Sequence, residues 1–167
     1  LAEAIKVLHR THQIPHIIIT SLRFTESGNT VPYSSEYDPG TITIIGSTAR
    51  ADWSPRLFRI DIPAFPVFFS GTGDMFAALT VVRLREAVLV AGLDKTQRWV
   101  SPDDVPSTEL PLAKATEKVL ASMQAVLQKT YAAWDETRKL LDEEQGDVRA
   151  GQFSGDEGIK EEKMRRH

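Results

Sequence analysis

Three stretches of the chain have the apolar pattern of β-strands. Residues 17–20 form a continuous apolar run rich in β-branched side chains, whereas 41–45 and 57–62 alternate between apolar and polar positions. The continuous run is typical of a strand buried on both faces of a parallel sheet, and alternation is typical of a strand with one exposed face. Between the alternating segments, 47–56 lacks an apolar period, which predicts a hairpin connection.

The remaining apolar positions follow helical spacing. Residues 1–12 have the pattern of a helix end, and the segment after Asp74 is apolar on almost every side, which predicts a helix buried inside the fold. Gly92 is expected to close this helical stretch. A long amphipathic helix is predicted from Pro111 to about Glu144, with its apolar face packed in the core. That face consists of Leu112, Thr116, Val119, Leu120, Met123, Val126, Leu127, Tyr131 and Trp134.

Composition narrows the class of protein. With 167 residues, 41% of them hydrophobic and 26% charged, the chain is expected to bury a core and to be soluble. The absence of cysteine excludes disulfides and thiolate chemistry. The net charge of −3 arises in 142–167, and a neutral body without a basic stripe argues against a nucleic-acid partner. No membrane span or signal peptide is evident, and because the chain begins at Leu1 within a helical pattern, we expect it to be a fragment.

A glycine-containing turn interrupts the apolar run 68–79. Gly71 and Gly73 allow backbone angles in which successive amide groups converge on one point, and the helix that follows adds unpaired N–H donors and a partial positive charge. Such a turn suits a phosphate or a developing anion. Asp74 has two interpretations at this point: it caps the helix, or it is a general base beside an anion hole.

Four segments in order resemble pyridoxal kinases of the ribokinase-like superfamily. These are Ile17–Ser21, Arg59–Ile62, Phe68–Ala78 and Ala115–Leu120. The resemblance covers roughly residues 5–141 and matches the C-terminal half of such kinases. It implies the partial three-layer α/β/α sandwich of a ribokinase-like domain in 1–144. Residues 145–167 have too little apolar surface to fold alone and are expected to be a charged, disordered tail.

The resemblance also implies an activity and a site. The activity is ATP-dependent phosphorylation of the 5′-hydroxymethyl group of pyridoxal, pyridoxine or pyridoxamine, with Asp74 as the catalytic base. The amides of Gly71, Thr72 and Gly73 are the implied anion hole, and Gly71 and Asp74 the implied substrate contacts. The implied ATP-binding residues are Thr20, Ser21, Phe65, Pro66, Val67, Thr72 and Gly73.

The same resemblance implies Mg²⁺ with ATP, a monovalent cation (K⁺ or Na⁺) and a homodimer in the full-length protein. The implied location is the cytoplasm, with the nucleus as a second location, and neither a nucleic acid nor a membrane is an expected partner. No metal-ligand set is assigned to this chain: His9, His12 and His16 lack a carboxylate partner. A phosphate clamp formed by Arg50, Arg56 and Arg59 is a further hypothesis, although scattered arginines are usually solvated.

Two alternatives remain open. The front half of such kinases supplies the vitamin pocket, its lid and the magnesium-organising motif, so this chain alone is expected to be inactive. It is then either the catalytic-base half of a kinase or a truncated, non-catalytic nucleotide-binding product. Another ribokinase-like kinase, with a sugar or hydroxymethylpyrimidine substrate, is the second alternative, although Arg59–Ile62 and its spacing to Gly71 favour pyridoxal.

Overall fold

The computed structural model describes residues 1–24 and 40–164, with side chains described as far as 143. Residues 23–40, a polar segment that contains glycine and proline turn signals, lie mostly outside these residues. The described chain forms three α-helices, three β-strands and two short 3₁₀ turns. Their bounds are α1 Ala2–His12, β1 His16–Leu22, β2 Thr41–Ala49, β3 Pro55–Pro63, α2 Thr72–Val90, the 3₁₀ turns Gln97–Trp99 and Ser107–Glu109, and α3 Pro111–Met164.

The three strands form one antiparallel sheet in the order β1–β2–β3. The protein is therefore α/β, as expected, but the prediction of a parallel sheet for β1 is wrong in this structure. The three isoleucines of β1 are half-buried rather than buried on both faces. A run of β-branched apolar residues indicates that a strand is buried, but it does not indicate whether the strand pairs in a parallel or an antiparallel direction. That direction depends on the connections that precede and follow the strand. The hairpin between β2 and β3 is confirmed.

Each face of the sheet is covered by a different helix. On one face, His9 of α1 is fully buried against Ser47 of β2. On the other face, Phe58 of β3 forms a core cluster with Leu110, Leu112 and Ala113, which lie at and just before the start of α3. Because side chains alternate along a strand, Ser47 and its neighbour Gly46 point to opposite faces.

Gly46 is required by close packing. It lies directly opposite Phe58 in the β2–β3 register, and a Cβ atom at this position would overlap the Phe58 ring. The ring therefore lies over the glycine and fills the space that a side chain would occupy. This contact explains why a glycine, which has low strand propensity, stands in the middle of a strand.

Helix α2 ends where the sequence predicts, but it is not buried. Gly92 adopts a φ of 67°, and the amide of Leu93 donates to the carbonyl oxygen of Val88. Val88 is fully buried, whereas Val81 and Val90 are 71% and 89% exposed. The prediction of a fully buried helix is therefore wrong for this chain, because only one side of α2 faces the core.

The chain divides into two compact units, Leu1–Gln124 and Ala125–His167. The backbone of α3 continues to Met164, some twenty residues past the end that the apolar pattern predicted. The backbone of 145–164 has helical geometry, while the domain boundary at 144 and the disordered tail 145–167 stay predictions. In the part of the chain that the structure describes, no helix combines the length and the apolar character needed to cross a membrane.

Candidate functional site

The glycine turn begins α2 with a free set of amide donors. Gly71 is the N-cap, and its φ of 78° lies in the left-handed region that favours glycine. The first backbone hydrogen bond runs from the Met75 amide to the Gly71 carbonyl oxygen, at 3.1 Å. Among the described residues, no backbone acceptor faces the amides of Thr72, Gly73 or Asp74. The partial positive charge of the helix end is therefore available to an external anion.

Gly71 and Gly73 differ in whether the backbone conformation requires glycine. Gly71 needs its positive φ, although a Cβ there would meet nothing within 4 Å. Gly73 has no positive φ, and open space surrounds its Cβ position as well. No atom of the described chain therefore requires glycine at 73, and the residue lowers helix stability by about 1 kcal/mol relative to alanine. Glycine is one residue that allows a ligand to approach the backbone closely.

Asp74 is the third residue of α2, and its side chain is exposed. Within residues 1–24 and 40–143, no hydrogen bond or ion pair engages its carboxylate. The carboxylate thus lies in the same turn as the free amides and is open to solvent. This arrangement suits a group that contacts a ligand, and the choice between base and cap stays a prediction.

The residues that precede the turn form an apolar wall. Phe65, Pro66 and Val67 are half-buried, and the Phe65 ring packs edge-on against Phe69, with 5.6 Å between ring centroids. The amide of Ala64 donates to the carbonyl oxygen of Gly40 at 2.8 Å, which fixes the point where the chain leaves β3. An apolar wall of this kind suits the flat face of a nucleotide base, and the assignment of these residues to ATP stays a prediction.

Thr20 and Ser21 lie in a β-bulge that the sequence did not indicate. In the β1–β2 register, Ile19 pairs with Ile45 and Leu22 with Thr43, so two residues of β1 occupy the space of one. Ser21 has a φ of 61°, which is uncommon for a residue with a side chain, and both hydroxyl residues are exposed. Bulges redirect side chains and are frequent beside active sites. No hydrogen bond between described residues joins this bulge to the α2 turn.

Thr43, Arg59 and Asp61 form a polar cluster next to the bulge. Thr43 donates to Asp61 Oδ1 at 2.6 Å, and Arg59 Nε donates to the two oxygens of Asp61 at 3.0 and 2.9 Å. The hydroxyl of Thr43 and the Arg59 guanidinium both hold the pKa of Asp61 below its usual range. Arg59 also lies over the ring of Phe24, at 5.5 Å, which anchors the segment after the bulge. The alternation of apolar and polar residues along β3 predicts that Arg59 and Asp61 share one face of the strand. The sequence did not predict their contacts with Thr43 or with Phe24, which follows β1.

The three arginines of the clamp hypothesis have separate contacts. Arg56 is buried and donates to the carbonyl oxygens of Ser101, Pro102 and Val105. Arg50 donates to the Pro55 carbonyl oxygen at 2.8 Å, while Arg59 pairs with Asp61. The phosphate-clamp hypothesis is therefore wrong, since these guanidinium groups already bind within the chain.

Two of the N-terminal histidines have structural contacts. His9 donates from Nδ1 to the Ile14 carbonyl oxygen at 2.5 Å and accepts at Nε2 from Ser47 at 2.7 Å. His16 donates from Nε2 to the Arg98 carbonyl oxygen and accepts from Thr48. Among the described residues, no group of three or more His, Asp or Glu side chains could hold a metal ion.

Comparison with known proteins gives a relationship that the geometry of the turn, the apolar wall and the bulge does not supply. Two curated Schizosaccharomyces pombe proteins are similar to the chain. It is 33% identical over 129 residues to one named Putative pyridoxal kinase C18.10, which is 75% of this chain and 33% of the relative. It is 28% identical over 132 residues to one named Putative pyridoxal kinase C6F6.11c, which is 77% of this chain and 34% of the relative.

These similarities support a pyridoxal-kinase-like relationship. The chain spans about a third of the length of the curated relatives it matches. No protein-family model matches the chain, and no solved structure matches it significantly. Both relatives carry names that describe them as putative pyridoxal kinases.

Proposed function

We propose that this chain is the ATP-side and catalytic-base part of a pyridoxal kinase with a ribokinase-like fold. Such an enzyme transfers the γ-phosphoryl group of ATP to the 5′-hydroxymethyl group of pyridoxal, pyridoxine or pyridoxamine. The names of the two yeast relatives support the substrate class. Because these relatives are about three times as long as the matched region, the activity is proposed for a protein of their length, and this chain alone is expected to be inactive.

One observation carries the proposal: the first turn of α2 presents free amides beside an unengaged carboxylate. Phosphoryl transfer needs a positioned hydroxyl, a group to accept its proton, and donors that stabilise charge on the transferred group. The turn offers the last two of these within three consecutive residues, Thr72, Gly73 and Asp74. A purely structural helix start has no need for Gly73, since nothing in the described chain restricts the space around it.

The role of each residue follows from its position. Asp74 accepts the proton of the substrate hydroxyl as that oxygen bonds to the γ-phosphorus, and the bond to the ADP oxygen breaks. The amides of Gly71, Thr72 and Gly73 stabilise the negative charge on the phosphoryl oxygens, and the Thr72 hydroxyl adds a donor. An aspartate is a weak base, but it needs to take the proton only as the new bond forms.

The remaining ATP contacts are assigned to the apolar wall and the bulge. Phe65, Pro66 and Val67 contact the adenine or ribose through their apolar surfaces, and the hydroxyls of Thr20 and Ser21 bind phosphate oxygens. The exposure of both hydroxyl residues and the left-handed backbone at Ser21 support this assignment. Strained residues of this kind cluster at ligand sites.

Bound magnesium neutralises charge on the ATP phosphates in reactions of this class. The free amides at the start of α2 fit the phosphate groups, but the described residues offer no cluster of three metal-binding side chains. We therefore assign no ligand of Mg²⁺ or of a monovalent cation to this chain.

The test is Asp74→Asn in the full-length protein. Asparagine is as good a capping residue as aspartate at a helix start but lacks a basic carboxylate. We expect the turnover of pyridoxal phosphorylation to fall by roughly two to four orders of magnitude, the usual contribution of a positioned proton acceptor. The affinity for ATP should change little, because the amide donors remain.

The matched control is Asp74→Ala, which removes both roles. If Asp74 is only a cap, the asparagine variant keeps nearly full turnover, and only the alanine variant loses stability, by about 1 kcal/mol. An asparagine variant with turnover within a few-fold of the parent would exclude the catalytic role. Phosphorylation of a sugar in preference to pyridoxal by the parent would instead favour another kinase of the same superfamily.

A further inference from the structure

Arg59 and Asp61 belong to a segment that resembles pyridoxal kinases, yet the proposed phosphoryl transfer gives neither residue a role. Together with Thr43 of β2 they form a closed set of hydrogen bonds, which we call the triad. Asp61 accepts from Thr43 and from Arg59 Nε, and Arg59 Nη2 donates to the Thr43 hydroxyl at 3.4 Å. Thr43 is buried, so the triad has one member fixed within the sheet. A network of this kind orders an exposed ion pair that would otherwise contribute little.

The bulge in β1 determines which side chains of that strand lie on the same face as the triad. Ile19 pairs with Ile45, and Leu22 pairs with Thr43. In a strand without the bulge, Ser21 would lie opposite Thr43 instead, because alternate residues share one face of a strand. The extra residue therefore brings Leu22 onto the face of Thr43 and leaves the two hydroxyl residues of the bulge outside the regular pairing.

Phe24 contacts the triad from this bulged register. The Arg59 guanidinium lies over the Phe24 ring, 5.5 Å from its centroid. Phe24 follows Leu22 by two residues, so the bulge directs both side chains to the face that carries Thr43 and Arg59. A shift of one residue would turn each of them to the opposite face. The contact between Arg59 and Phe24 therefore favours the bulged register over the regular one.

The backbone of the bulge needs such support. Ser21 has a φ of 61°, in the region that residues with side chains rarely adopt. Strained backbones persist where the surrounding contacts determine the conformation. On the side of β2, the triad supplies contacts of this kind directly after the bulge.

We propose that the triad is a positioning device, which holds β1 through Phe24 in the register where Thr20 and Ser21 bind the phosphate groups of ATP. The proposal rests on the proposed function, which assigns these two hydroxyl residues to ATP. Arg59 and Asp61 act through the bulge and do not contact phosphate themselves, since each already pairs with the other.

This role predicts an effect on ATP binding rather than on the transfer step. When the Arg59–Phe24 contact is lost, a smaller fraction of the molecules has the bulged register, and the apparent affinity for ATP falls with that fraction. Bound ATP restores the register at saturation. The amides of the α2 turn and Asp74 are unchanged, so turnover at saturating ATP should be retained.

Steady-state kinetics of the full-length protein test this split. Arg59→Leu and Phe24→Leu should each raise the KM for ATP by roughly 2- to 5-fold, which corresponds to the loss of one exposed cation–π contact. The kcat and the KM for pyridoxal should not change. Phe24→Tyr retains the ring and should behave as the parent. The matched control is Arg138→Leu, because Arg138 also pairs with a carboxylate and lies 5.5 Å from a ring centroid; this variant should leave the KM for ATP unchanged.

A second background separates positioning from a general effect on the sheet. In a variant that carries both Thr20→Val and Ser21→Ala, the addition of Arg59→Leu should raise the KM for ATP no further, because the hydroxyls through which Arg59 acts are absent. An equal increase in both backgrounds would overturn the positioning role.

Hydrogen exchange of the full-length protein without nucleotide reports the register independently of activity. The amides of 20–24 should exchange faster in Arg59→Leu than in the parent, whereas those of 16–18 and 55–58 should not change. Faster exchange with an unchanged KM for ATP would show that the triad stabilises the sheet without positioning the ATP contacts, and the proposal would be wrong.

The outcomes distinguish this inference from the proposed function. A parent that phosphorylates pyridoxal, with unchanged exchange and KM in Arg59→Leu, would overturn the positioning role alone. A parent that binds Mg-ATP in calorimetry without phosphorylating pyridoxal would overturn the proposed function alone, and the Kd for Mg-ATP of the same variants would then test the triad. A parent without affinity for Mg-ATP would overturn both.

Discussion

The guanidinium of Arg56 on β3 donates a hydrogen bond of 2.6 Å to the carbonyl oxygen of Pro102, in the loop before α3. Two further bonds from the same group reach the carbonyl oxygens of Ser101 and Val105. A single buried cation therefore holds the loop 101–105 against the sheet. Burial and the neighbouring Arg50 lower the pKa of Arg56, whereas the carboxylates of Asp103 and Asp104 act in the opposite direction.

Replacement of Arg56 by alanine should destabilise the fold. The change leaves three carbonyl oxygens without their donor, and hydrogen bonds to charged groups contribute about 1.5–3 kcal/mol each when measured singly. Because the loop can rearrange toward water, we expect a total loss on the order of 2–4 kcal/mol. Urea unfolding of the purified chain measures it. Arg10→Ala, at an exposed position of α1, is the control and should change stability by less than about 0.5 kcal/mol.

Strand alternation could have identified this role for Arg56. Arg56, Phe58 and Ile60 share one face of β3, and Phe58 lies in the core. An arginine on the inward face of a strand needs acceptors for its donors, which points to a structural contact rather than a phosphate clamp. The acceptors themselves were not predictable, because they are backbone atoms of a loop more than forty residues away.

Local sequence patterns predicted some elements of the fold and not others. The positions of β2, β3 and the start of α2 followed from local pattern and from Gly71, whose positive φ is a local requirement. The antiparallel direction of β1 and the bulge at Thr20 and Ser21 depend on pairing with β2, and no local pattern encodes them. The exposed side of α2 was also missed, since an apolar helix surface indicates that a face is suited to burial without showing what covers it.

His16 should make stability depend on pH. Burial lowers the pKa of His16 below its ordinary value of 6.5, in spite of the hydrogen bond that it donates to the Arg98 carbonyl oxygen. The unfolded chain therefore binds a proton at a higher pH than the folded chain. The stabilisation is complete above pH 6.5 and is lost as pH falls through the lowered pKa of the folded state.

Chemical unfolding of the chain at a series of pH values between neutral and acid measures this dependence. The His16→Asn variant should show a smaller loss of stability than the parent over the same range. His12→Asn, at an exposed position near the end of α1, should retain the parent dependence. An unchanged slope in the His16 variant would assign the effect to another group.

Gly46→Ala should destabilise the sheet. The added methyl group would overlap the ring of Phe58, which is buried and lies directly opposite on β3. Either the ring or the strand must move, and overpacking of this kind costs about 1–3 kcal/mol. The double variant Gly46→Ala with Phe58→Leu should lose less than the sum of the two single changes, because the smaller side chain relieves the overlap. Strict additivity in thermal unfolding would contradict the proposed contact.

Alanine substitution of the two glycines in the α2 turn should distinguish an effect on ATP binding from an effect on stability. Gly73→Ala should keep or slightly raise stability, since its surroundings are open and alanine favours helix by about 1 kcal/mol. Gly71→Ala should lose stability, because its φ of 78° is unfavourable for a side chain. In the full-length protein, both changes should weaken ATP binding and slow pyridoxal phosphorylation, since each adds a methyl group where phosphate approaches the amides. A Gly73→Ala variant that is as stable as the parent and has unchanged steady-state constants would show that no phosphate binds at the start of α2.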